Sequence, residues 1–321
     1  MRYIRFIFLM LLTACHQPTK KADKAKVSQN VQPADLLKAG SINKLVAKNH
    51  KRLVSVHGDF NSFKKYLAQL SDNDPVSVPY ALDYIKTCIP VTLPEKDSVI
   101  WLFNVKFYKI TNKLSDSLET TYASVIKLMD DKSTPSPVKY FTNNLAACGI
   151  GIFQTEGDYY LDMMSGYLYK NFENRVSDGV KAYLYIRKGE MAAGFTEDAG
   201  LLISFDALYG RVKQWEKFLN DYPKTIYSGA ANDYYDSYLE ALLTGMDNSR
   251  VFDMETGVLS PEVKIIYEKA MRQDTSSKTS KIISSYYDLL ARHNFKETDS
   301  VNVFLKEHKL STMLAVQPDN R

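Results

Sequence analysis

Residues 215–239 read WEKFLNDYPKTIYSGAANDYYDSYL, and this stretch decides the fold class. Pro223 cannot donate to a helical ladder and ends the first helix, with Tyr222 packing beside it. Gly229, Ala230 and Ala231 are small enough to bring a second helix close. The segment therefore predicts helix, polar turn, helix.

Two further stretches echo it. FKKYLAQLSDNDPVSVPYALDYI begins at Phe63 and YEKAMRQDTSSKTSKIISSYYDLL at Tyr267. The copies at Trp215 and Tyr267 both open aromatic-Glu-Lys, and both reach a Tyr-Tyr-Asp, at Tyr234-Tyr235-Asp236 and Tyr286-Tyr287-Asp288. The copy at Phe63 is looser, with Asp83-Tyr84 in that place. Each reads as a helical hairpin whose apolar face needs a neighbouring hairpin to cover it. In the run before Tyr267, Ser260 is placed as an N-cap and Pro261 as the first helical residue, with Val263, Ile266, Tyr267 and Ala270 as one apolar stripe. The expected class is all-α: irregular stacked helical hairpins, an α-solenoid or tetratricopeptide-like stack. The best strand candidate, Ala182 to Ile186, stands alone and does not make a sheet.

Phe218-Leu219, then Tyr222-Pro223 and the alanine-rich second helix resemble the tetratricopeptide-type repeats of bacterial envelope lipoproteins. The distance between the copies exceeds the roughly 34-residue tetratricopeptide period, so the resemblance implies irregular repeats and carries no function.

The N-terminus carries a different signal. Arg2 and Arg5 precede an apolar run from Phe6 to Leu12, about 10 Å of helix against the roughly 30 Å of a bilayer core. An export signal fits, and a membrane span does not. The run ends Leu12-Thr13-Ala14-Cys15, which resembles the lipobox of bacterial lipoproteins. That resemblance implies cleavage after residue 14, lipid attachment through the Cys15 thiol, and a stable membrane anchor. His16 stands where enterobacterial lipoproteins retained at the inner membrane carry aspartate, so the family rule implies the outer membrane. Residues 15–34 hold Lys20, Lys21, Lys24 and Lys26 with almost no aliphatic or aromatic side chain, the composition of a flexible tether. The helical body is then 35–321, as one domain or as two subdomains meeting near residue 150.

A formal charge of +4 over 321 residues does not suggest a nucleic-acid partner. Of the remaining cysteines, Cys88 and Cys148 either form a disulfide in an oxidising compartment or lie buried as thiols. No metal site or cofactor is expected: His50, His57, His293 and His308 form no ligand pattern, and the loop beginning at Asp253 has Lys264 where a calcium loop needs glutamate. Ser41, Ser62 and Ser136 each begin Ser-x-x-Lys without the other motifs of that chemistry. No catalytic residue is assigned. Glu156, Asp158 and Asp162, with Tyr159 and Tyr160 between them, read either as an acidic helix start above a Tyr160, Met164, Tyr167 core stripe or as a glycan site. The chain's 22 tyrosines pack helices together or line a groove. The expected role is a lipid-anchored envelope protein that binds a protein or peptide without catalysis; the alternative is a glycan-binding or glycan-cleaving lipoprotein.

Overall fold

The computed structural model describes residues 42–130, 133 and 135–310; the expected signal segment, Cys15, the expected tether and Ser41 lie outside them. The first helices are α1 (Ile42–Leu53), α2 (Phe60–Gln69), α3 (Ser77–Cys88), α4 (Lys96–Ser115), α5 (Ala123–Ile126) and α6 (Ser136–Ala147). An antiparallel hairpin, β1 (Ile150–Thr155) and β2 (Asp158–Met163), leads to α7 (Tyr167–Phe172) and α8 (Asp178–Ala193). A short ladder, β3 (Thr196–Glu197) with β4 (Gly200–Leu201), joins α8 to α9 (Phe205–Asp221). Next come α10 (Ser228–Thr244), the ladder β5 (Gly245–Met246) with β6 (Ser249–Arg250), α11 (Pro261–Gln273), α12 (Lys278–Arg292) and α13 (Asp299–Glu307). The class is all-α, with sheets of only two strands each among the described residues.

All three echoed segments are helical hairpins: α2–α3, α9–α10 and α11–α12. Local capping explains where several of these helices begin. Asp59 and Ser62 form a reciprocal capping box on α2, while Ser204 and Ser277 accept the Ala207 and Ser280 N–H groups at the starts of α9 and α12. Pro261 begins α11 with Ser260 at the N-cap position but without a side-chain capping bond, and Val263, Ile266, Tyr267 and Ala270 are its buried face.

The aromatic-Glu-Lys echo has a physical meaning. Trp215 Nε1 donates to Glu190 Oε1 on α8 at 2.7 Å, and Tyr267 Oη donates to the Leu242 carbonyl on α10 at 2.8 Å. Each aromatic thus buries its ring and ties its polar tip to an earlier helix. The Tyr-Tyr pairs work similarly: Tyr234 stacks on Trp215 with centroids 5.1 Å apart, and Tyr286 Oη donates to the Leu243 carbonyl at 3.0 Å. Phe63 has no hydroxyl to place, and its copy is held by ring contact with Tyr84.

Three expectations are corrected. Residues 182–186 lie within α8, whose start Ser177 caps through the Val180 N–H; the buried positions Val180, Tyr183, Leu184, Ile186 and Arg187 follow a helical face. Of the three small residues expected to admit the second helix, Ala231 is fully buried on α10, but the space around Gly229 is open; a further close approach falls at Gly179 at the start of α8, where a Cβ would lie 2.4 Å from Thr225 Cγ2. The acidic segment at 156–162 is a strand and turn in place of a helix start. Glu156 and Gly157 have φ of +51° and +94°, which an α-helix cannot accommodate and a two-residue type I′ hairpin turn requires.

Candidate functional site

The hairpin separates the sequence-predicted residues by face. Side chains alternate along a strand, so Gly151, Phe153 and Thr155 share the outer face with Asp162, Tyr160 and Asp158 in register. The inner face buries Ile150, Leu161 and Met163 in the core beside α4 and α6. Tyr159 points away from Tyr160, and its hydroxyl donates to Asp130 Oδ1 at 2.7 Å, a bond that raises the phenol's pKa. Glu156 occupies the turn. Thus Asp158, Tyr160 and Asp162 come together on one surface, while Tyr159 does not join them.

On that surface Phe153 and Tyr160 form a cross-strand stacked pair, with centroids 5.7 Å apart and planes at 29°. Both side chains are 39% exposed and Met164 beside them 40%. The Phe153 ring lies over Gly151, where a Cβ would come within 2.8 Å of it, so glycine makes room for the ring. Met164 Cγ lies 3.6 Å from the same point, so the Met164 side chain also flanks Gly151 on this face. Phe153 was not among the sequence candidates. The alternation of Ile150 and Ile152, answered by Leu161 and Met163 across Glu156-Gly157, is the signal that identifies it.

Chemically, the strand geometry limits what the carboxylates can do. Asp158 and Asp162 are four residues apart on β2, about 13 Å at the strand rise of roughly 3.3 Å. Glycoside hydrolysis uses carboxyl pairs about 5–9.5 Å apart, so these two are spaced to flank a ligand. Asp162 also accepts its neighbour's Met163 N–H at 2.6 Å.

A second polar cluster is buried between α8, α9 and α10. Arg187 Nη1 donates to Glu190 Oε2 at 2.7 Å, opposite the Trp215 bond to Oε1, and the Arg187 guanidinium lies 4.1 Å from the Tyr234 ring centroid. Arg211 donates to the Gly194 carbonyl at 2.6 Å and to Tyr238 Oη. These groups are mutually satisfied, as buried charges must be, and the cluster holds helices together.

The other sequence candidates separate in the same way. His50 Nδ1 lies 2.8 Å from Asp83 Oδ1 and 3.1 Å from Thr87 Oγ1. Both partners therefore meet the same ring nitrogen, whereas a proton relay to a hydroxyl needs them on opposite nitrogens. Ser62 serves as a helix cap, and Asp253 Oδ1 accepts the Glu255 and Thr256 N–H groups within its own turn. Among the described residues no group of three metal-ligating side chains occurs, and no helix is long and apolar enough to cross a membrane. Cys88 and Cys148 are both free and buried, so the disulfide alternative is not formed. Burial pushes both thiols up, Cys148 to about 12.

No protein-family model matches the chain, and neither a curated protein nor a solved structure matches it.

Proposed function

We propose that the protein is a lipid-anchored component of a bacterial envelope, outer membrane by the His16 rule, whose helical body presents the β1–β2 hairpin to a protein partner. The observation that carries this reading is the exposed Phe153–Tyr160 pair with Met164, fixed on a backbone that α4 and α6 support. Large aromatic side chains held rigid at a surface supply contact area at little entropic cost, which is why they anchor interfaces. The Leu12-Thr13-Ala14-Cys15 run supports the anchor.

Capture from envelope extract with the full chain as bait tests the binding role. A specific protein is expected to be enriched, and to be lost with Phe153→Ser/Tyr160→Ser; no enrichment across growth conditions contradicts the reading. Metabolic labelling tests the anchor: Cys15→Ser is expected to abolish lipid incorporation, and labelled lipid on that variant contradicts it.

The same stacked rings favour a second reading, glycan binding. On this reading an oligosaccharide binds the full chain and Tyr160→Ser releases it. The spacing of Asp158 and Asp162 supports binding over cleavage.

A further inference from the structure

The outer face of the hairpin carries more than rings. Asp158 and Asp162 stand two residues either side of Tyr160 on β2, each about 6–7 Å along the strand from it. Glu156 adds a third carboxylate at the turn. Neither Glu156 nor Asp158 has a lysine or arginine partner within the described residues. Aromatic faces attract cations within about 6 Å of the centroid, and a carboxylate beside the ring strengthens the attraction.

The strand edges differ as well. In a two-residue hairpin the pairs Thr155/Asp158, Phe153/Tyr160 and Gly151/Asp162 exchange the ladder bonds, so the backbone groups of the residues between them point outward. On β2 the outward Leu161 N–H donates to Ser115 Oγ of α4 at 2.9 Å, which covers that edge. On β1 the corresponding outward groups of Ile152 and Gln154 have no such partner within the described residues. An uncovered edge is a template for an added strand.

We propose that the β1 edge receives an extended cationic segment of the partner protein, whose alternate Lys or Arg side chains extend over the Phe153 and Tyr160 rings toward Glu156 and Asp158. This rests on the partner-binding reading above and specifies the partner's chemistry. Charge complementarity selects the basic residues, and the open edge selects the extended backbone.

The test is fluorescence anisotropy with the full chain in detergent and a labelled decapeptide alternating Arg and Thr, beside matched peptides with Gln or Glu in place of Arg. The Arg peptide is expected to bind, to weaken with added salt, and to lose about tenfold or more in affinity with Phe153→Ser/Tyr160→Ser. Glu156→Asn separates binding from folding, because asparagine suits a positive φ better than glutamate does. That variant is expected to melt at the same or a higher temperature while binding the Arg peptide several-fold more weakly. Equal binding of the Gln peptide, unchanged affinity in these variants, or displacement by a neutral chitin oligosaccharide overturns the inference. If a partner is still captured through the hairpin in any of those cases, the binding role stands and only its cationic specificity falls. Absence of both capture and peptide binding removes both.

Discussion

Two regions of this protein use the same kinds of side chain for opposite ends. In the α9–α12 stack, Trp215, Tyr234, Tyr267 and Tyr286 are buried, and the polar tips of Trp215, Tyr267 and Tyr286 each reach a glutamate or a backbone carbonyl. On the β1–β2 hairpin, Phe153 and Tyr160 stack on each other with their outer surfaces in solvent. The first arrangement converts aromatic area into stability. The second keeps that area available, so its worth should register in binding and scarcely in melting.

The contrast breaks first at Trp215. Trp215→Ala removes a fully buried ring and leaves Glu190 short of a donor beside Arg187, and is expected to cost about 3–5 kcal/mol in chemical denaturation. A loss below about 1 kcal/mol would mean that the stack does not depend on its aromatics.

Glu216 sharpens the account of the stack through pH. Burial alone would raise its pKa, but the Lys213 ammonium and the Thr279 N–H, which donates to Oε1 at 3.0 Å, together hold it below the usual value. A folded-state pKa below the unfolded one gives stability that is present above the ordinary glutamate range, near pH 4.3, and is lost as pH falls through the folded value. Glu216→Gln is therefore expected to cost about 1.5–3 kcal/mol at pH 7 and progressively less below about pH 4. A pH-independent difference would contradict the ionised pairing.

A smaller effect tests the packing of α8 on the α9–α10 turn. Gly179→Ala places a methyl group 2.4 Å from Thr225 Cγ2 and is expected to cost about 1–3 kcal/mol, whereas Gly229→Ala, facing open space on α10, should be neutral or stabilising. Equal melting temperatures for the two variants would remove Gly179 from its role.

The same comparison shows what the sequence made legible. The helical hairpins were readable because Pro223, the aromatic-Glu-Lys openings and the Tyr-Tyr-Asp pairs act locally. The β1–β2 hairpin was not, because residues four apart share a face in both a helix and a strand. Asp158 with Asp162, and Tyr160 with Met164, satisfy either period. Gly157 after Glu156 was the discriminating signal, since two consecutive positive φ values exclude a helix start. Residues 182–186 misled in the opposite sense: their dense aromatic and aliphatic composition suits a strand, yet the register is set by Arg187 and Glu190, whose partners Tyr234 and Trp215 lie on other helices. Buried charge of that kind leaves no trace in a local pattern. The tight loops ending α8 and α10 were missed for a related reason. They pair with each other, Asn248 N–H donating to the Ala199 carbonyl at 3.0 Å and Leu201 N–H to Ser249 Oγ at 2.8 Å, so their shape is a tertiary property.

The most direct measurement sets melting temperature beside partner capture for the full chain carrying Phe153→Ser/Tyr160→Ser. A cross-strand pair at a surface contributes only about 0.2–1 kcal/mol, so the account predicts a small shift in melting with loss of capture. A large drop in melting temperature, or capture that survives the double substitution, would show that the hairpin's aromatics belong to the core or to no interface, and would contradict the division of labour drawn here.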